Sequence, residues 1–150
     1  MNPAGLLRFM REHPLAVESS VSADRRPQSA VVGIAVSDAF EVVFDADAGS
    51  RKVANLRREP RIAFVIGGTA SGDERTAQYE GIADEPEGPE LERLLELYFE
   101  VFPDGRERRS RPGITFVRAR PRWIRYTDFR ADPPEAVEFD RAALELAPES

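Results

Sequence analysis

Ser50-Arg51-Lys52-Val53-Ala54-Asn55-Leu56-Arg57-Arg58-Glu59-Pro60-Arg61 lies at the centre of the chain's architecture. It spells a short helix set between two apolar strands. Ser50 is a cap residue, Val53, Leu56 and Arg57 form the body, and Pro60 closes it. Before it, Phe40, Val42 and Phe44 alternate with Glu41 and Val43 at the strand period. After it comes the apolar run Ile62-Ala63-Phe64-Val65-Ile66. A helix start leaves backbone N–H groups without intrahelical partners and carries the positive end of the helix dipole. Arg51 and Lys52 add two formal charges there, and arginine adds a planar fork, so the segment suits an anion such as a phosphate. Taken alone, the pair reads equally well as solvated surface charge.

The rest of the chain is read outward from this segment. A helix is predicted over residues 3–12, where Leu6, Leu7, Phe9 and Met10 form a stripe that ends at His13-Pro14. Residues 15–23 and 27–36 read as a hairpin about Asp24-Arg25-Arg26. A small-residue loop over 67–73 is followed by a strand over 75–83. Over 90–102, Leu91, Leu94, Leu95, Tyr98 and Phe102 fall at helical spacing. Two last strands are predicted over 113–119 and 122–128. From residue 129 to 150 the chain, with its Pro133-Pro134, reads as a loosely held tail after a single domain over 1–128. Six or seven short strands with brief helices indicate a mainly β protein whose mostly antiparallel sheet closes or nearly closes into a barrel. A dinucleotide-binding βαβ fold lacks support, since no glycine-rich turn follows the first strand.

Composition narrows the function. With 27 acidic and 21 basic residues the formal net charge is −6, which disfavours nucleic acid and anionic membrane surfaces as partners. The absence of cysteine removes disulfides, thiolate catalysis and cysteine-ligated metals. No apolar run reaches the roughly 18 residues of a membrane span, and the N-terminal stripe is broken by Arg8, Arg11 and Glu12, so a cytoplasmic location is expected. A single histidine, His13, argues against a metal centre and against histidine acid–base chemistry. No Gly-x-Ser-x-Gly elbow is present, and acidic neighbours such as Asp45 with Asp47 are explained by solvation. No catalytic residue is assigned. A chain with one phosphate cradle and little chemistry of its own points to a borrowed cofactor.

Pro27-Gln28-Ser29-Ala30-Val31-Val32, then Phe40-Glu41-Val42-Val43-Phe44, then the Ser50 to Arg61 stretch, then Gln78-Tyr79-Glu80-Gly81-Ile82-Ala83, together resemble the pyridoxamine 5′-phosphate oxidase-like FMN-binding split barrels. The resemblance runs over roughly residues 5–128. It implies a six-stranded antiparallel split β-barrel with Greek-key character, a homodimer, and FMN in a groove at the subunit interface. It places the phosphate on Arg51 and Lys52 with Ser50 beside them. The strand Ser29, Ala30, Val31 and Val32 would run along the flavin ring and offer backbone groups to its polar edge. Gln78 would hydrogen-bond the cofactor, and Trp123, the only tryptophan, would wall the ring from the other subunit.

The chain departs from the vitamin B6 oxidase itself. It lacks basic residues over 30–35, and no histidine follows His13, so an arginine-histidine substrate motif near the C-terminus is missing. The resemblance is to small, divergent members, some of which bind FMN, some a deazaflavin coenzyme and some haem. Haem ranks last, since only His13 could ligate it. The leading expectation is an oxidoreductase passing hydride or electrons between a reduced nicotinamide and a small acceptor. A deazaflavin-dependent reductase and a non-catalytic flavin-binding or sensing dimer are the alternatives.

Overall fold

Period-two alternation gives the strands two faces, and one of those faces is buried against two short helices. The computed structural model describes residues 1–146. Its elements run α1 (Pro3–Arg11), β1 (Leu15–Val21), β2 (Pro27–Gly33), β3 (Ala35–Val36), β4 (Val42–Asp47), α2 (Arg51–Arg58), β5 (Arg61–Gly67), β6 (Arg75–Asp84), α3 (Gly88–Val101), α4 (Gly105–Arg109), β7 (Ile114–Asp128) and β8 (Glu135–Asp140). The strands form one antiparallel sheet in the order β2-β1-β5-β6-β7-β4-β3, with β8 added to β7, and the sheet curls into a half-barrel. β2 therefore ends one side of the sheet. α2 carries the chain from β4 across to β5, which pairs with β1.

The inner face holds the larger core. Phe44, Phe64 and Tyr79 meet edge to face, with ring centroids 5.9 and 5.5 Å apart, which adds directional contact to the area they bury. The fully buried Tyr79 hydroxyl donates to the carbonyls of Phe40 (2.9 Å) and Ala119 (3.1 Å). Leu6, Phe9 and Met10 of α1 join this core, as do Val53 and Leu56 of α2. A second cluster forms where Leu94, Leu95, Tyr98 and Phe99 of α3 pack on Phe116 and Val43. Among the described residues no helix is long and apolar enough to cross a membrane.

The mainly β, antiparallel architecture is as the sequence indicates, but the strand count differs. The segments read as two strands over 113–119 and 122–128 are one strand, β7, crossed by a register shift. Glu80 pairs with Trp123 and Gly81 with Pro121, so Arg122 is the extra residue of a bulge. Gly81 is required there, because a Cβ would stand 2.4 Å from the Arg120 carbonyl oxygen. The bulge explains why Pro121 is tolerated inside a strand. α4 escapes sequence reading because Gly105-Arg106-Glu107-Arg108-Arg109 has no apolar stripe. The segment over 129–150 expected to be loosely held contains β8, paired to β7 and anchored by the buried Phe139; its last four residues lie outside the described residues.

Candidate functional site

The α2 start is positioned by its own side chains. A helix turns 100° per residue, so burying Val53 and Leu56 in the core directs Asn55 toward β1 and leaves Arg51 exposed at the first turn. The Asn55 amide donates to Ser20 Oγ on β1 (3.1 Å) and to Gln28 Oε1 on β2 (2.9 Å). Arg58 donates to the Val21 carbonyl (2.7 Å). These three bonds fix both the rotation of α2 and its approach to the β1–β2 hairpin.

The result is a cleft of about 140 Å³ lined by Glu18, Ser20, Gln28, Ser29, Ala30, Arg51 and Lys52. It brings the predicted phosphate residues Arg51 and Lys52 together with Ser29 and Ala30 of the predicted ring strand. Ser50 caps the helix in extended conformation, yet its side chain makes no capping bond, and its buried Oγ has no partner. Neither Arg51 nor Lys52 forms an ion pair or hydrogen bond among the described residues. Several arginines elsewhere are engaged: Arg57 is bidentate to Glu85 (2.7 Å twice), Arg108 donates to Asp45 (2.9 Å), and Arg118 holds three carboxylates.

The other predicted residues lie apart from this cleft within one chain. Val32 is buried in the core, so only its backbone is available. Val31 projects from the outer face and is 68% exposed. Gln78 is exposed on the outer face of β6, opposite Val65 and Arg125. Trp123 is half-buried on the same face of β7, opposite Glu80 and Asp140. A row of outer-face partners, Val31, Val17, Val65, Gln78 and Arg125, crosses five strands.

Sequence reading missed Glu18, Ser20, Gln28 and the clamping role of Asn55. Glu18 is 1% exposed, and its Oε1 is buried without a partner. Burial pushes its carboxyl above the usual carboxylate range, while the Ser20 hydroxyl and the Lys52 ammonium pull the other way. The available signal was period two: Glu18 shares the face of Ala16, and such a position calls for an apolar residue. His13 sits elsewhere, with Nδ1 bonded to the Phe9 carbonyl and Nε2 to Asp73 Oδ2, both at 2.8 Å. Among the described residues no three His, Asp or Glu side chains are grouped to hold a metal ion.

Residues 4–128 match the protein family described as pyridoxamine 5′-phosphate oxidase. No curated protein matches the sequence. Among solved structures, a heme binding protein from Mycobacterium smegmatis is similar with a TM-score of 0.81 at 14% identity, covering 96% of this chain and 60% of that one. A conserved hypothetical protein from Mycobacterium tuberculosis is similar with a TM-score of 0.67 at 24% identity, covering 100% of this chain and 91% of that one. A pyridoxamine 5′-phosphate oxidase-related, FMN binding protein from Nostoc punctiforme is similar with a TM-score of 0.65 at 12% identity, covering 91% and 87%. At these identities the likeness shows a shared fold.

Proposed function

Because the chain belongs to the pyridoxamine 5′-phosphate oxidase family, we propose that it is a homodimeric FMN-binding flavoprotein that passes hydride or electrons from a reduced nicotinamide to a small acceptor. The observation that carries this reading is the convergence of Arg51 and Lys52 on one small cleft at the start of α2. A cleft of that size suits a phosphate group, with the flavin ring lying outside it along β2.

β2 suits that task because it ends the sheet. An edge strand presents unpaired backbone N–H and C=O groups, and those of Ser29 to Val32 would orient the ring and donate to its polar edge. Bound FMN supplies the hydride or electron transfer itself. The chain's part is to hold the phosphate with Arg51 and Lys52, orient the ring, and exclude water from one of its faces. Three large apolar side chains on the outer face, Leu15 (61% exposed), Val31 (68%) and Val65 (42%), form a surface that a second copy would cover. Gln78 and Trp123 share that face, so dimerisation would bring them to a cofactor lying between subunits.

The same phosphate cradle would serve a deazaflavin coenzyme, limited to hydride transfer, or a sensing dimer without turnover. Haem fits poorly: an axial histidine needs a free nitrogen, and both of His13's are bonded to oxygens. The absorbance spectrum of the purified protein, with identification of the molecule released on denaturation, separates these cofactors. Arg51→Ala with Lys52→Ala is expected to weaken FMN binding by about 2–4 kcal/mol, since charge-assisted contacts contribute about 1.5–3 kcal/mol each and neighbours add incompletely. Unchanged FMN affinity in that double variant refutes the cradle. Val31→Glu is expected to give monomers by light scattering with weakened FMN binding; monomers that bind FMN as tightly as the parent refute the interface.

A further inference from the structure

We infer that Glu18 contacts the ligand as a proton-bearing acid, hydrogen-bonding the anionic group held by Arg51 and Lys52, so that this group enters the cleft together with a proton from solvent. The inference rests on the phosphate reading above and adds a specificity and pH element that the cradle alone lacks.

Glu18 occupies an inner position of β1 that packing alone would fill with an apolar residue. Its cross-strand partners are Ala30 on β2 and Phe64 on β5, and neither offers a hydrogen bond from its side chain. It is 1% exposed, its Oε1 has no partner, and it lines the cleft. A buried polar atom left unpaired carries a desolvation penalty. That penalty is removed if a bound ligand completes the bond. Ser50 Oγ, also buried without a partner, stands at the α2 cap, next in sequence to Arg51.

The charged groups facing Glu18 are Lys52 and Arg51 of α2. From β1, Ser20 is neutral; from β2, Gln28, Ser29 and Ala30 are neutral; from β5, Phe64 is apolar. An anion drawn in by the two cations would repel an ionised Glu18 and bond to a protonated one. Binding therefore raises the proton affinity of Glu18, and by linkage protonation raises the affinity for the anion. Burial already raises the proton affinity of Glu18 in the free protein, and the ligand raises it further. The proton stays on the carboxyl and is shared with a ligand oxygen; no bond to carbon or phosphorus changes.

The test is FMN titration of the wild-type protein and E18Q between about pH 7 and about pH 9, where phosphate stays dianionic because its second pKa is about 6. Wild-type affinity is expected to fall with rising pH by up to about tenfold per unit. Calorimetry in buffers of different ionisation enthalpy is expected to register uptake approaching one proton per FMN. This measurement on the wild-type protein stands even if E18Q folds poorly. E18Q is expected to lose both the slope and the uptake, and riboflavin, which lacks the phosphate, is expected to bind the wild type without the slope. FMN binding with no proton uptake, the same slope in E18Q, or the same slope with riboflavin overturns the role of Glu18 and leaves the flavin function standing. Failure of FMN to bind the wild type at every pH overturns both.

Discussion

Two clusters of charged and polar side chains flank the sheet, and they differ in whether their members have partners. Beneath α3, Arg118 is 3% exposed and is bidentate to Asp84 at 2.9 and 2.7 Å. It also donates to Glu41 (3.2 Å) and Glu90 (2.6 Å). Arg93 bonds the same two glutamates, and Ser37 donates to Glu41 at 2.9 Å. In the α2 cleft, Arg51, Lys52 and Glu18 Oε1 stand without hydrogen-bond partners among the described residues, as does Ser50 Oγ at the α2 cap. A closed network uses its charges to hold α3 on the sheet. An open one keeps its hydrogen-bonding capacity for a ligand, and completeness of pairing separates the two roles better than burial does, because both contain buried groups.

The sharpest way to break this contrast is Arg118→Met. Removing one partner of a buried ion network leaves carboxylates uncompensated, and a stability loss of about 3–5 kcal/mol is expected in urea unfolding. A loss below about 1 kcal/mol, the range of exposed pairs, would place Arg118 outside the fold's support. The matching change in the cleft, Arg51→Ala with Lys52→Ala, is expected to alter stability by no more than about 0.5 kcal/mol, as surface changes do, while FMN binding weakens by about 2–4 kcal/mol. A large destabilisation would mean the cleft cations are structural.

The smallest effect is the pH dependence of stability, which carries opposite signs in the two clusters. Burial alone would raise the Glu41 carboxyl, but hydrogen bonds from Arg93 and Ser37 and the nearby Arg118 charge outweigh it, so its pKa is lowered. Glu41 therefore contributes stability that is present above the unfolded value, 4.5, and lost as pH falls through the lower folded value. Glu18 is raised, so the native state is weakened as pH rises from 4.5 through the higher folded value. Without ligand, melting temperatures are expected to show the wild type losing ground to E18Q between about pH 4 and about pH 7. A constant difference across that window would show that burial does not raise the proton affinity of Glu18.

Much of the fold was legible before any coordinates. The strand alternation of Phe40, Val42 and Phe44 and the helical spacing of Leu91, Leu94, Leu95 and Tyr98 are local signals that tertiary packing follows. Pro121 misled because a proline normally ends a strand, and only the pairing with Gly81 shows the bulge that accommodates it. β8 was hidden because only Phe139 of its six residues is buried. In the cleft, Arg51 and Lys52 were visible as a charge pair at a helix start, whereas Glu18 looked like one more acid in an acidic chain.

Most element types, the mainly β class, and the place where a helix start gathers positive charge follow from local sequence, because periodicity, caps and charge are properties of neighbouring residues. Which charges are paired follows from the packing of distant segments. It set Asn55 against Ser20 and Gln28, 35 and 27 positions away. It also put Glu18 beneath Lys52 in the cleft and moved Gln78 and Trp123 to the outer face. Those placements depend on register between distant strands, which is fixed by how the whole core packs.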